Sequence, residues 1–271
     1  MAYLDSLSVE QKSNAANIIK AAVDSGITNQ YAIAAILAII SKESEFKPKS
    51  ENLNYSVKRI KEVFPSLGNR ANSLGNNPEA LANAIYGGRY GNGPNEGYKY
   101  RGRGYNQLTF KGNYDKFAKI IKVDIVNSPN LVNDPVIAAK IAIAFFIDGI
   151  KDLKRTGKLE LYNASGINDF KNLTDSILAM YHINAGTGKK VSNIKNLQVN
   201  DVVGGFTKAK GRIQNIYNDL KNIIEDTATN LTQTVKETAT ELTQAVKNNN
   251  VIPILVIGLI VTYFIFNKNQ Q

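Results

Sequence analysis

Tyr31-Ala-Ile-Ala-Ala-Ile-Leu-Ala-Ile-Ile40 runs without a break into Ser41-Lys-Glu-Ser-Glu45. Ten uncharged residues are too few to cross a bilayer. They have no polar face either, so the stretch predicts a helix over Tyr31 to Ser44 buried inside a domain. On its N-terminal side, Ser8 precedes Glu10 and Gln11, and Ala15, Ile18, Ile19, Ala22 and Val23 share one face. That is a capped amphipathic helix ending near Gly26. On its C-terminal side, Ser56 caps a short helix through Val57, Ile60 and Val63 that Pro65 terminates. Pro135 to Ile147 and Leu173 to Ile183 read as two further buried helices. Residues 86–107 hold Gly87, Gly88, Gly91, Gly93, Gly97, Gly102 and Gly104 among Tyr and Arg, a density no helix sustains. A long loop or a small β ribbon is expected there. The predicted fold class is mainly α.

Beyond this helical body the chain changes character. Thr227-Ala-Thr-Asn-Leu-Thr-Gln-Thr-Val-Lys236 returns eleven residues later as Thr238-Ala-Thr-Glu-Leu-Thr-Gln-Ala-Val-Lys247. Ala228, Leu231, Val235, Ala239, Leu242 and Val246 form a narrow stripe that stays straight at that period, so 219–248 is expected to be a helical stalk or linker, with self-association through 227–247. Val251 to Phe266 is apolar, and no charge occurs between Lys247 and Lys268. As a helix this gap of 20 residues would span about 30 Å, the thickness of a hydrocarbon core. A C-terminal transmembrane helix within 249–271, membrane localisation and lipid contact through 251–266 are therefore expected. The domain proper would occupy residues 1–218. Its N-terminus shows no secretory signal.

The 271 residues contain no cysteine and one histidine, His182. Disulfides, thiolate metal sites and thiol nucleophiles are excluded, and His182 would be the sole imidazole base available to a triad. No cofactor or metal is expected. The net charge of +10 belongs to the front of the chain, where residues 1–218 hold 29 basic against 18 acidic side chains. Such a field draws in polyanions, among them bacterial wall polymers, anionic lipid and nucleic acid.

Carboxylates are left to carry any chemistry. Glu43 closes the apolar helix, beside a surface that penalises the charged form of a carboxyl; the neutral form is what a general acid must hold. Glu51 follows eight residues later, beyond Pro48, so a loop has to fold it back. Two carboxyls across a cleft are the layout of glycoside hydrolysis. Glu45 and Glu96 satisfy the same criterion and remain candidates. Tyr98-Lys-Tyr-Arg-Gly-Arg-Gly-Tyr105 offers aromatic faces and guanidinium forks, on which sugars or bases can stack. It leads into Asn106-Gln-Leu-Thr109 and Asn113-Tyr114, a set suited to amides and hydroxyls, which makes nucleic acid the weaker reading. His182, at a helix end, reads as a local hydrogen-bonding group.

Lys42-Glu-Ser-Glu-Phe46, Glu51-Asn-Leu-Asn-Tyr-Ser56 and Tyr100-Arg-Gly-Arg-Gly-Tyr-Asn-Gln-Leu-Thr109 resemble strips of glycoside hydrolase family 19, the family of plant-type chitinases and many phage endolysins. So do Asp134-Pro-Val-Ile-Ala-Ala-Lys-Ile-Ala-Ile-Ala-Phe-Phe146 and Tyr181-His-Ile-Asn-Ala-Gly186. The resemblance runs in order over about residues 30 to 190 and implies a lysozyme-like helical fold. It implies Glu43 as general acid, Glu51 as general base and Thr109 as the hydroxyl that helps to hold the attacking water. Tyr55, Tyr100, Arg103, Gln107, Asn113, Lys140 and Asn184 would bind sugar. The sequence departs from the family at Lys42 for His, at Ala144 and Phe146 for Trp, and at Ala185 for Gly. The function it implies is an inverting, peptidoglycan-degrading glycosidase of the endolysin type, and with the anchor, a virion-associated phage lysin. Chitinase, lytic transglycosylase and a non-catalytic wall-binding or membrane structural protein are the alternatives.

Overall fold

The computed structural model describes residues 6–186, 214–219, 237 and 240. The chain divides into two compact units, Met1–Asp219 and Leu220–Gln271. The 227–247 stripe, apart from the helical residues Glu237 and Thr240, and the 251–266 stretch lie outside the described residues. Among the described residues no helix is long and apolar enough to cross a membrane.

The first unit is mainly helical, consistent with the architecture that the resemblance implies. Helix α1 spans Val9–Asp24; Ser8 and Gln11 close a reciprocal capping box at its start. Helix α2, Gln30–Ser44, starts at Asn29, whose side chain accepts from the Ala32 N–H. Ala32 to Ser41 are all buried, which is why the segment shows no polar stripe. Each of Ile36, Leu37, Ile39 and Ile40 contributes about 1.5–3 kcal/mol by leaving water. Alanines between them let neighbouring helices approach. The main partner of α2 is α8, Leu173–Ala185, and α1 packs chiefly on α7, Pro135–Arg155. Tyr217, in the helical residues 214–219, stacks on Tyr31 with centroids 5.2 Å apart.

Helix α3, Val57–Val63, is capped by Ser56 as expected, and a 3-10 helix, Pro65–Arg70, and α4, Ala71–Leu74, follow it. Two helices not anticipated from sequence frame the glycine-rich region: α5, Pro78–Tyr86, and α6, Lys111–Ile121. Between them the chain forms turns rather than a ribbon. An isolated bridge, Arg103 with Leu108, is the β pairing found among the described residues. Helix α7 runs eight residues past the expected Ile147, through Gly149. A Cβ at Gly149 would meet Ile183 Cγ2 at 2.3 Å, so glycine here permits close packing of α7 on α8 and does not break the helix.

The glycine-rich turns are tied together by polar clasps. Asn92, buried, donates from Nδ2 to the Tyr86 carbonyl (2.9 Å) and accepts from the Lys111 N–H (2.8 Å). Glu96 accepts from the Gly93 N–H at 2.8 Å and pairs with Lys111 at 3.0 Å. The Gly93 N–H, and after it Lys111, hold the Glu96 carboxyl below its usual range. A group so shifted stabilises the fold above its unfolded value, near pH 4.3, and that contribution is lost as pH falls through the lower folded value. Glu96→Gln is therefore expected to lower the melting temperature at pH 7. The gap from wild type should close as the pH is taken below 4; a gap independent of pH would show that charge plays no part.

Candidate active site

Helix α2 ends in an unusual turn. Glu45 (φ 53°) and Phe46 (φ 58°) are successive non-glycine residues in the left-handed region, a conformation that costs about 1–3 kcal/mol each unless surroundings impose it. Helix α1 imposes it here: Gln11 Nε2 donates to the Glu45 carbonyl at 2.9 Å and buried Asn14 Nδ2 to the Phe46 carbonyl at 2.8 Å. Phe46 is fully buried. The turn leaves Glu43 on the last turn of α2 and directs the chain toward Glu51.

Glu43 does not lie against grease. Its side chain is 35% exposed, with Lys42 Nζ at 2.5 Å from Oε1 and Asn184 Nδ2 donating to the same oxygen at 3.2 Å. Glu43 and Asn184 are thus brought together from 141 positions apart, by the packing of α2 on α8.

Glu51 is held differently. Its N–H donates to the Gly102 carbonyl at 2.8 Å, and Tyr86 Oη donates to its carboxylate, lying 2.9 and 3.0 Å from the two oxygens. Burial, and then the charge of Glu51, push the Tyr86 hydroxyl far above its ordinary range, so it remains a neutral donor at any working pH. Its ring meets Phe110 edge-on at 5.4 Å. Neighbouring backbone is pinned too. Gln107 Nε2 donates to the Lys49 carbonyl at 3.0 Å, and Asn133 Nδ2 to Ser50 Oγ at 2.8 Å.

Gly102 is the point of convergence. A Cβ there would meet Gln107 Oε1 at 2.9 Å, Thr109 Oγ1 at 3.4 Å and Glu51 Cβ at 3.5 Å. Three of the expected site residues therefore surround one glycine that has no room for a side chain. Thr109 Oγ1 donates to the Gln107 carbonyl at 2.9 Å, leaving its lone pairs open to accept. Asn113 Nδ2 donates to the Thr109 carbonyl at 2.8 Å, fixing the strip onto α6.

Other expected residues are placed elsewhere. Tyr100 is 1% and Arg103 3% exposed, so neither presents a face to a ligand. Tyr100 Oη donates to the Val126 carbonyl, and Arg103 Nη1 braces the turn through the Lys99 carbonyl and Tyr114 Oη. Tyr55 is half-buried, stacked on Phe64 at 6.2 Å. Lys140 lines a cavity of about 320 Å³ between α1, α6 and α7, together with Asp24, Ile121 and Asp148 and none of the residues around Glu43 or Glu51. Glu45 caps α2 and Glu96 is committed to Lys111. His182 is buried, its Nδ1 sharing a 2.8 Å hydrogen bond with Tyr162 Oη, whose ionisation burial pushes up to about 12. Tyr86 was not anticipated; an aromatic placed just before Gly87-Gly88 is the signal that could have found it.

The residues that gather around Glu51, namely Tyr86, Gly102, Gln107 and Thr109, all lie within residues 76–156, which match the family model described as Chitinase class I. This segment is similar to glycoside hydrolase family 19 domains. A glycosyl hydrolase family 19 domain-containing protein of Haemophilus influenzae is 39% identical over 107 residues, covering 37% of this chain and 54% of that protein. Endochitinase CH25 of Brassica napus is 48% identical over 52 residues, 19% of this chain and 16% of the endochitinase. The chain thus spans about half the length of the first relative and a sixth of the second. Glu43 lies outside the segment matched by the family model, as does Glu51 itself.

Proposed function

We propose that this protein hydrolyses the β-1,4 glycan strands of bacterial peptidoglycan with inversion, Glu43 serving as general acid and Glu51 as general base. The observation that carries this reading is the hold on Glu51: a carboxylate bound by the Tyr86 hydroxyl, next to Thr109, with its backbone tied to Gly102. In this mechanism a water donates one hydrogen bond to Thr109 Oγ1 and the other to Glu51. Glu51 takes the proton as the oxygen attacks the anomeric carbon, while Glu43 gives its proton to the departing glycosidic oxygen. Inversion requires the two carboxyls to face a common cleft about 6.5–9.5 Å apart, with room for that water. Asn184, which already donates to Glu43, would orient the acid, and the amide groups of Gln107 and Asn113 would border the sugar. Peptidoglycan is favoured over chitin by the surplus of positive charge in residues 1–218, which suits an anionic polymer. Chitin is the second reading, supported by the similarity to an endochitinase. We place the enzyme at a membrane through residues 251–266, with 227–247 as a self-associating stalk.

Mass spectrometry of fragments released from purified sacculi tests the reaction. New reducing ends on muramic acid or glucosamine units are expected. Anhydro-sugar ends would instead identify a transglycosylase, and release from chitin alone would identify a chitinase. A second check concerns the hold on the base. Tyr86→Phe removes a hydrogen bond to a charged group, worth about 1.5–3 kcal/mol, so kcat should fall roughly 10–100-fold with KM little changed. Unaltered kcat would show that Tyr86 merely packs.

A further inference from the structure

At the tip of the turn that follows α5, Tyr90 leaves its side chain 69% exposed although its backbone sits in the left-handed region (φ 45°). Both features are unfavourable in water, and neither is a sign of looseness. The Tyr90 carbonyl accepts from the Gly112 N–H at 3.1 Å, the Arg89 carbonyl from the Asn92 N–H at 2.9 Å, and the Gly93 carbonyl from the Gly88 N–H at 3.2 Å. Phe110 meets the Tyr90 ring at 4.8 Å with a 61° tilt, fixing its orientation. Arg89, also exposed, lies over the two rings, its guanidinium carbon 5.6 Å from the Tyr90 centroid and 5.7 Å from that of Phe110. Arg89 Nη1 donates to the Ile85 carbonyl at 2.9 Å, and among the described residues no carboxylate pairs with this guanidinium. A rigid turn therefore holds up an exposed aromatic ring together with a cation that no carboxylate pairs among the described residues.

We infer that Arg89 and Tyr90 form a subsite for an acidic N-acetylated hexosamine of the glycan, Tyr90 taking the apolar face of the pyranose and Arg89 a carboxylate on its acidic arm. This rests on the glycosidase reading and deepens it. An aromatic face alone binds any flat apolar surface, and a neighbouring guanidinium adds a planar fork matched to carboxylate. The position of the pair favours a sugar over a nucleobase with its phosphate. Phe110, whose ring meets Tyr90 edge-on, also touches Tyr86, whose hydroxyl binds Glu51. Two ring contacts and one hydroxyl thus link the platform to the proposed base. The guanidinium also gives the site a means of telling a muramyl-type strand from neutral chitin.

The test uses the full chain and its Arg89→Gln, Tyr90→Ala and Tyr90→Trp variants, with thermal melting to show each is folded. Hydrolysis is measured on purified peptidoglycan and on soluble chitin oligosaccharides, and binding by co-sedimentation with sacculi. Tyr90→Ala is expected to raise KM about tenfold on both substrates, and Tyr90→Trp to restore it. Arg89→Gln should lower the ratio of kcat/KM on peptidoglycan to that on chitin about tenfold. Hydrolysis by the wild type, with KM and that ratio unmoved by any variant, overturns the subsite and leaves the glycosidase reading standing. Absence of hydrolysis by the wild type removes the glycosidase reading. Sacculus binding then decides the subsite: loss in Arg89→Gln and Tyr90→Ala supports it, and equal binding by all variants overturns it. Weakened binding of a single-stranded oligonucleotide by both variants, with sacculus binding intact, assigns the platform to nucleic acid and overturns the inference.

Discussion

Glu43→Gln is expected to reduce glycan hydrolysis by about 10²–10⁴ while leaving sacculus binding and the melting temperature near wild type. The amide keeps the shape of the side chain and its contact with Asn184, and it removes the proton that the leaving oxygen needs. Because Glu43 is 35% exposed and sits at the end of α2, its replacement disturbs no packing. Glu51→Gln serves as the companion measurement. An inverting hydrolase loses a comparable factor there, since nothing else deprotonates the water. A lytic transglycosylase, which uses no water, would retain most of its rate. Full activity in Glu43→Gln would remove Glu43 as the acid and return the question to Glu45 or another group.

The second large effect concerns stability, and it is placed at Gly97. A Cβ there would meet the Ala82 carbonyl oxygen at 2.2 Å, the Ala82 carbonyl carbon at 2.7 Å and Asn83 Cα at 2.8 Å. All three atoms belong to the backbone of α5 and cannot rotate away, unlike the tip of a side chain. Gly97→Ala must therefore lift the turn off α5, which threatens the 3.0 Å bond from the Tyr98 N–H to Asn83 Oδ1. Overpacking costs about 1–3 kcal/mol in ordinary cores, and against fixed backbone the upper end is expected, a fall in melting temperature of roughly 6–12 °C. Gly166→Ala is the control, because its Cβ would meet only the Asp169 carboxylate, at 3.5 Å. Equal melting points for the two variants would show that the approach of the turn to α5 does not matter. Since Tyr86 closes α5, Gly97→Ala should also weaken catalysis through Glu51.

The sequence made the main helices legible because their signals are local. Ser8, Ser56 and the Pro135 that follows Asp134 mark starts, and the apolar run through Ile40 has no reading but burial. Helix α6 was hidden because the residue before it, Phe110, has positive φ and supplies no side-chain cap, and because Gly112 falls in its first turn. Helix α5 did carry a marker, Asn77 before Pro78, but it abuts the glycine-rich region whose composition dominates any window that includes it. The end of α7 depends on how Gly149 meets Ile183, a contact between distant segments that no local pattern encodes. The site divides along the same line. The convergence of Glu51, Gln107 and Thr109 followed from ordered motif strips. Which side of a strip faces inward did not, since Tyr100 and Arg103 belong to the same run as Gln107 yet brace its interior. Nor did the pairing of Tyr86 with Glu51, 35 residues apart.

The paired left-handed residues after α2 carry a lesson for anyone reshaping this protein. The path from one acidic side chain to the other is set by two amides on α1, Gln11 and Asn14, a helix with no chemistry of its own. The first helix acts as a jig, and trimming it as dispensable N-terminal padding would release the bend that it clamps.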